Sequence, residues 1–298
     1  LDCFSGISGD MLLAALLDAG YPLSELRRAL AGLGLEPTPQ VEVEETRKGA
    51  LRAARLIVSL PEQPETHRHY PDIVALLRGS GLEEQARQNA LAVFSKLAQA
   101  EARVHGSAVE EVHFHEVGAL DSIVDIVGIA AGLAWFGIDQ LYASALPFGS
   151  GSVQSQHGVL PLPAPATLEL LRGARAPLRP LECARELVTP TGAAVLAALA
   201  RFEQPEMRLT DTGTGAGNLD LPWPNVLRVM IGESEGGLGG LVMLETNIDD
   251  SSPEVLGHTF GRLMAAGALD VFFTPVLMKK NRPAYMLSVL ARRADEPA

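Results

Sequence analysis

Asp2-Cys3-Phe4-Ser5-Gly6-Ile7-Ser8-Gly9-Asp10-Met11 opens the chain and decides its class. Residues 1–4 read as a short buried strand, Ser5 to Asp10 as a turn, and Met11–Ala19 as an apolar helix ended by Gly20. A strand, a glycine-rich turn and a helix in that order begin an α/β unit. The turn presents backbone N–H groups at a helix N-terminus, so Ser5, Gly6, Ser8 and Gly9 can hold a phosphate or a carboxylate. Asp10 falls at the N-cap, where it either stabilises the helix by about 1 kcal/mol or acts as a ligand. The chain has no Gly-Lys-Ser/Thr, so this is no Walker loop. It starts at Leu1, inside what reads as its first element, and is therefore expected to be incomplete at its start.

Outward from this turn, elements alternate along 298 residues, of which 47% are hydrophobic and 20% charged, a globular balance. A helix at Leu23–Ala31 precedes strands at Val41–Thr46 and Ala53–Leu60. Helices follow at about Asp72–Arg78, Glu83–Val104 and Leu120–Phe136, then a long Gly/Ser/Pro-rich loop over Pro147–Pro165. Further helices are expected at Ala166–Arg172 and Thr191–Ala200, and strands at Met207–Thr212 and Val226–Ile231. Residues 234–240 form a flexible linker between a larger α/β domain, 1–233, and a partial one, 241–298. The latter reads β-α-β-β, the start of a ferredoxin-like α+β sandwich. The fold class is thus α/β, mixed with α+β.

Several functions fall away. Lys and Arg number 24 against 36 Asp and Glu, a formal charge of −12, which argues against nucleic acid or an anionic membrane as partner and suits cations. Cys3 and Cys183 are the only cysteines, leaving no disulfide framework and no thiolate zinc site. The longest nearly apolar stretch, Ile123 to Ile138, is shorter than about 18 residues and contains Asp125, so it is a buried helix. No signal peptide precedes the first motif, and the cytoplasm is the expected compartment.

Two His-x-His units stand out. On an extended segment, positions i and i+2 share a face, so His67 with His69, or His113 with His115, can chelate one cation. The second pair is followed by Glu116, and then by Asp121 and Asp125, one helical turn apart. Carboxylates on an apolar helix are costly to bury without a cation or a hydrogen-bond partner. Imidazole with carboxylate suits Zn²⁺, Ni²⁺, Mn²⁺ or Fe²⁺. The bland alternative is that Asp121 caps its helix and Asp125 meets an Arg. His157 lies on the long loop. Thr189, Thr191 and Gly192 open a helix as an N-cap or an anion site. Gly213–Gly217 reads as a hairpin connection or a phosphate-approaching loop. Asp249 and Asp250 can hold a hard divalent ion with a nucleotide, or merely favour the start of the next helix. Lys279 belongs to the one concentrated basic turn, Lys279-Lys280-Asn281-Arg282.

Taken in order, these segments resemble the LarC family, nickel insertion proteins of nickel-pincer cofactor biosynthesis. The resemblance rests on Asp2–Met11, His67-Arg68-His69, the run Val112–Gly128, His157-Gly158 with Pro163-Ala164-Pro165, Glu186–Ala193, Gly215–Gly217, Pro224–Arg228, Glu245–Asp250, Gly267–Val271 and Met278-Lys279-Lys280. It implies insertion of Ni²⁺ into pyridinium-3,5-bisthiocarboxylic acid mononucleotide, as a lyase-type cyclometallase. It also implies CTP as co-substrate with Mn²⁺ or Mg²⁺, and racemases or epimerases that receive the nickel pincer; self-association is a further expectation. On this reading His113, His115, Glu116 and Asp121 are catalytic. Asp10, His67, His69, His113, His115, Asp125 and His157 handle the metal. Ser5, Gly6, Ser8, Gly9, Thr189, Thr191, Gly192, Asp249, Asp250 and Lys279 serve substrate and nucleotide. The long His-rich stretch of some members is here only Glu65–His69. The family's second domain continues past the Tyr285–Ala291 strand, so the chain is expected to stop inside that domain. A non-catalytic nickel carrier and a metal-dependent hydrolase or nucleotide-binding enzyme remain as alternatives.

Overall fold

The computed structural model of the chain describes residues 1–59, 68–114, 120–155, 158–233 and 241–292. The chain divides into two compact units, Leu1–Glu233 and Ser234–Ala298.

The first unit is organised round helix α1 (Gly9–Asp18), in which Met11 to Leu16 are all buried. A helix that is apolar all round has to be covered all round. One side is covered by a sheet of β1 (Gln40–Lys48), β2 (Leu51–Ser59), β3 (Arg208–Ala216) and β4 (Val226–Glu233), in that spatial order. β1–β2 and β3–β4 are antiparallel, whereas β2 and β3 meet in parallel at Ala54 and Gly215. Helices α2 (Leu23–Ala31), α3 (Tyr70–Gly79), α4 (Glu84–His105), α5 (Leu120–Trp135), α6 (Pro165–Gly173) and α7 (Pro190–Leu199) complete the unit. α5 packs on α1, and α4 lies against α5, α6 and α7. Among the described residues no helix is long and apolar enough to cross a membrane.

Three expectations are corrected here. The glycines of 213–217 do not form the hairpin connection. Gly213 and Gly215 lie inside β3, and the connection runs from Gly217 to Asn225. The reason is close packing of helix on sheet. A Cβ on Gly215 would lie 1.9 Å from the Met11 carbonyl oxygen, and one on Gly213 2.0 Å from that of Ala15. The opening segment is not a strand of the sheet either. It makes two isolated bridges, Asp2 antiparallel to Arg228 and Ile7 parallel to Val188. Finally, the 147–165 loop contains a small hairpin, Ser152–Ser155 with Gly158–Pro161, and Leu146–Phe148 pairs in parallel with Leu178–Pro180. Pairing across some 30 residues leaves no mark in local sequence.

The second unit has β5 (Leu241–Ile248), α8 (Pro253–Ala265), β6 (Asp270–Met278) and β7 (Arg282–Arg292), with β7 central and both pairings antiparallel. Ser252 Oγ accepts the Val255 N–H and caps α8. Val271, Leu287 and Val289 form a small core against Leu263 and Phe273. The mixed α/β class expected from the sequence is the class observed.

Candidate functional site

The helix starts two residues earlier than its capping chemistry suggested: Ser8 is the N-cap, and Asp10 stands in the first turn of α1. Asp10 therefore does not cap. Its carboxylate accepts from the Ser8 hydroxyl, from the Met11 N–H at 2.9 Å, and from Asn218 Nδ2 at 3.2 Å. Its own N–H donates to the carboxylate of Asp125. Asp125 comes so close to this end of α1 that a Cβ on Gly9 would lie 2.4 Å from its Oδ2. Glycine at position 9 is thus required by the approach of α5, whatever else it does.

Asp121 and Asp125 lie one turn apart on α5, and both charges are felt with that of Asp10. Burial first, then repulsion by Asp10 and by Asp121, holds the Asp125 carboxyl well above the usual carboxylate range. Asp121 is exposed and accepts the Ser122 N–H at 2.7 Å. Asp125 is thus crowded by Asp10 at the start of α1 and by Asp121 one turn away on its own helix, a repulsion that a proton relieves. Among the described residues, no group of three or more His, Cys, Asp or Glu forms a ready metal cage.

His67, His115, Glu116 and His157 lie outside the described residues. Backbone pairing nevertheless joins the two His-x-His segments. Arg68–His69 runs antiparallel to His113–Phe114, with His69 opposite His113 and Arg68 opposite Phe114. The strand is anchored by Phe114, which is buried against Phe94 and Tyr70 at ring separations of 6.3 and 6.5 Å. The His69 N–H donates to Asp72 at 3.1 Å, and α3 begins at the next residue. The sequence offered two separate chelating segments; the fold makes them neighbours. Cys3 takes no part, because burial pushes its thiol up to about 12 and keeps it protonated within the core.

Beside Asp10 opens a cavity of about 400 Å³, lined among others by Ser8, Ser152, Glu186, Thr189, Asn218 and Asn225. The two turns proposed as anion sites are here knitted to each other. Gly6 N–H donates to Cys3 O, Ile7 N–H to Leu187 O, and Thr189 N–H to Ile7 O, at 2.9, 2.9 and 3.1 Å. Thr189 Oγ1 accepts from Gly192 N–H, so it is the N-cap of α7 as well as part of the cavity wall. Thr191 is buried in the first turn of that helix. Ser5 is likewise interior: its hydroxyl donates to Asn225 Oδ1 and accepts from Trp223 Nε1, at 3.2 and 3.0 Å. The N–H groups of Gly6, Ile7 and Gly192 are committed to internal bonds.

Asn218 and Asn225 escaped the sequence reading as site residues. Asn225 is buried, bonded to Ser5 and to the Leu219 carbonyl, and shapes the Gly217–Asn225 turn. Asn218 then reaches Asp10. An uncharged amide within a loop has no periodicity or spacing to mark it. In the second unit, Asp249 and Asp250 follow β5 and are exposed. Asp249 lies 3.5 Å from Arg282, on the turn that carries Lys279. The acidic and basic motifs of that unit therefore share one end of its sheet.

Comparison with known proteins places these motifs in a group. The family model described as "Nickel insertion protein" matches residues 1–298. A curated relative from Geobacter metallireducens, named as a nickel insertion protein, is 52% identical over 297 residues, covering 98% of this chain and 75% of the relative. One from Pelobacter propionicus, named in the same way, is 53% identical over 297 residues, with coverages of 98% and 75%. A third, from Roseiflexus castenholzii, is 51% identical over 294 residues, with coverages of 97% and 74%. Among solved structures, LarC2, the C-terminal domain of a cyclometallase involved in the synthesis of the NPN cofactor of lactate racemase, is 49% identical. That match covers 19% of this chain and 40% of the other, with a TM-score of 0.19.

Proposed function

The chain belongs to the nickel insertion protein family, the LarC family, and from that premise we propose that it inserts Ni²⁺ into pyridinium-3,5-bisthiocarboxylic acid mononucleotide. The observation that carries this reading is Asp10 on the wall of a cavity large enough for a small organic molecule, with Asp125 against its helix end and the charge of Asp121 felt there. A divalent cation would be drawn to these carboxylates, and the paired His-x-His segments add imidazole, a better ligand for borderline-soft Ni²⁺. The metal is then passed to the two sulfurs and one ring carbon of the substrate. Forming the nickel–carbon bond breaks a ring C–H bond, whose electron pair goes to nickel and whose proton goes to a carboxylate of the cluster. Asp10 is oriented for such work, fixed by donors from Ser8, Met11 and Asn218.

The second unit would take CTP. Asp249 and Asp250 offer hard oxygen ligands to Mn²⁺ or Mg²⁺, and Lys279 on the neighbouring turn offers charge to phosphates. The reading places the reaction in the cytoplasm and its product with nickel-pincer-dependent racemases or epimerases.

The test is reconstitution. The chain with Ni²⁺, CTP, Mg²⁺ and the thiocarboxylate mononucleotide is expected to give pincer absorbance that grows with CTP. Nickel binding without product would contradict insertion and leave a carrier.

A further inference from the structure

The Gly217–Asn225 turn has a second side, where a cavity of about 330 Å³ is lined by Thr46, Arg47, Lys48 and Arg55 of the β1–β2 hairpin and by Asp220 and Trp223 of the turn. Gly217 and Asn218 belong to the walls of both this cavity and the one beside Asp10. Three cationic side chains are thus gathered in a chain whose formal charge is −12.

Little neutralises them. Lys48 is only 18% exposed, with its Nζ 3.0 Å from Asp220 and 3.3 Å from the Leu219 carbonyl. Asp220 is 98% exposed, so water screens most of its charge. Arg55 meets Glu44 at 3.3 Å, and both are half-exposed. Arg47 has no ion-pair partner among the described residues. The indole of Trp223 is held by its bond to Ser5 Oγ, which gives the cavity a fixed aromatic wall. Two guanidinium forks and an ammonium round a polar hollow match a tetrahedral dianion.

We propose that this cavity binds a phosphate monoester, as the phosphate end of a nucleotide-like molecule whose other end passes Asn218 toward Asp10. The anion site stands on its own residues; only the direction of the ligand rests on the nickel-insertion reading. Neither the glycine turn of residues 5–9 nor the start of α7 is needed for the phosphate, and the N–H groups of Gly6, Ile7 and Gly192 are committed elsewhere.

The experiment uses the whole chain and three probes in calorimetric titration: nicotinate mononucleotide, nicotinate riboside and inorganic phosphate. Arg47→Ala with Lys48→Ala is expected to weaken mononucleotide binding at least about tenfold while leaving riboside binding and the melting temperature unchanged. Lys48→Ala strands no buried charge, because its partner Asp220 is in water. Wild-type affinity for the mononucleotide should fall as salt is raised, and inorganic phosphate should compete. Equal mononucleotide affinity in wild type and the double variant would overturn the site. Inorganic phosphate binding more tightly than the mononucleotide would overturn the nucleotide assignment. Asp10→Asn separates this proposal from the functional one, since it should lose insertion and keep phosphate-dependent binding. If no protein inserts nickel and Arg47→Ala/Lys48→Ala still loses the mononucleotide, the nickel reading falls and the anion site remains.

Discussion

Asp125→Asn is expected to slow nickel insertion by about a hundredfold or more while leaving the first unit at least as stable at neutral pH. The two effects have one cause. Asp125 sits against the start of α1, accepts the Asp10 N–H, and is crowded by the charges of Asp10 and Asp121. Asparagine keeps the shape and an acceptor oxygen for that N–H, and removes the charge. The folded chain holds a proton on Asp125 to higher pH than the unfolded chain does. Between the unfolded value, about 3.9, and the raised folded value, stability therefore falls as pH rises. Below about pH 3.9 both states are protonated and the cost is absent. Asp125→Asn should remove that slope, so its urea midpoint should match wild type in acid and exceed it at pH 7. A variant that is stable but still inserts nickel at the wild-type rate would remove Asp125 from the mechanism. One that is less stable at pH 7 than in acid would contradict the crowding itself.

Gly215→Ala should be among the most damaging single methyl groups in the first unit, costing about 3 kcal/mol or more. The new Cβ would stand 1.9 Å from the Met11 carbonyl oxygen and 2.8 Å from the Ala15 nitrogen. Both are helix backbone, so relief requires lifting α1 from β3. That movement also shifts Asp10, which is carried on the first turn of α1 and held by Asn218, two residues beyond β3. Denaturant unfolding should show a large fall in midpoint, with insertion lost at temperatures where wild type works. Gly79→Ala is the control: nothing lies within 4 Å of its added Cβ, and at the end of α3 it should stabilise by up to about 1 kcal/mol. Similar effects at positions 79 and 215 would show that helix–sheet contact is not what glycine serves in β3.

Much of the architecture was legible because it is written in periodicity. The apolar run of α1 and the spacing of Val93, Phe94 and Leu97 state which face is inside, whereas of the alternating valines of β1 only Val41 is buried and Val43 is exposed. What escaped was pairing at a distance. Leu146–Phe148 finds its partner at Leu178–Pro180, and Gly213 and Gly215 look like turn residues until α1 is laid across them. The site divides in the same way. Asp121 and Asp125 could be picked out because carboxylates on apolar helices are expensive, and Asp10 because it stands at a helix start. Asn218, Asn225 and the hidden hydroxyl of Ser5 could not, since an amide or a hydroxyl acquires meaning only from the group it meets. Arg47, Lys48 and Arg55 carry no motif in the sequence, and only the hairpin and the 217–225 turn together make them a cavity.

On the function proposed above, the paired His-x-His segments and the aspartates 10, 121 and 125 handle one nickel ion on its way into the substrate. The most direct measurement is nickel transfer to the thiocarboxylate mononucleotide by His69→Ala with His113→Ala, alongside nickel affinity and circular dichroism. The fold should survive, because Phe114, buried against Phe94, anchors that strand in the core. Nickel affinity should fall at least about tenfold, and pincer absorbance should be lost with it. Transfer at the wild-type rate in a folded double variant would contradict the account.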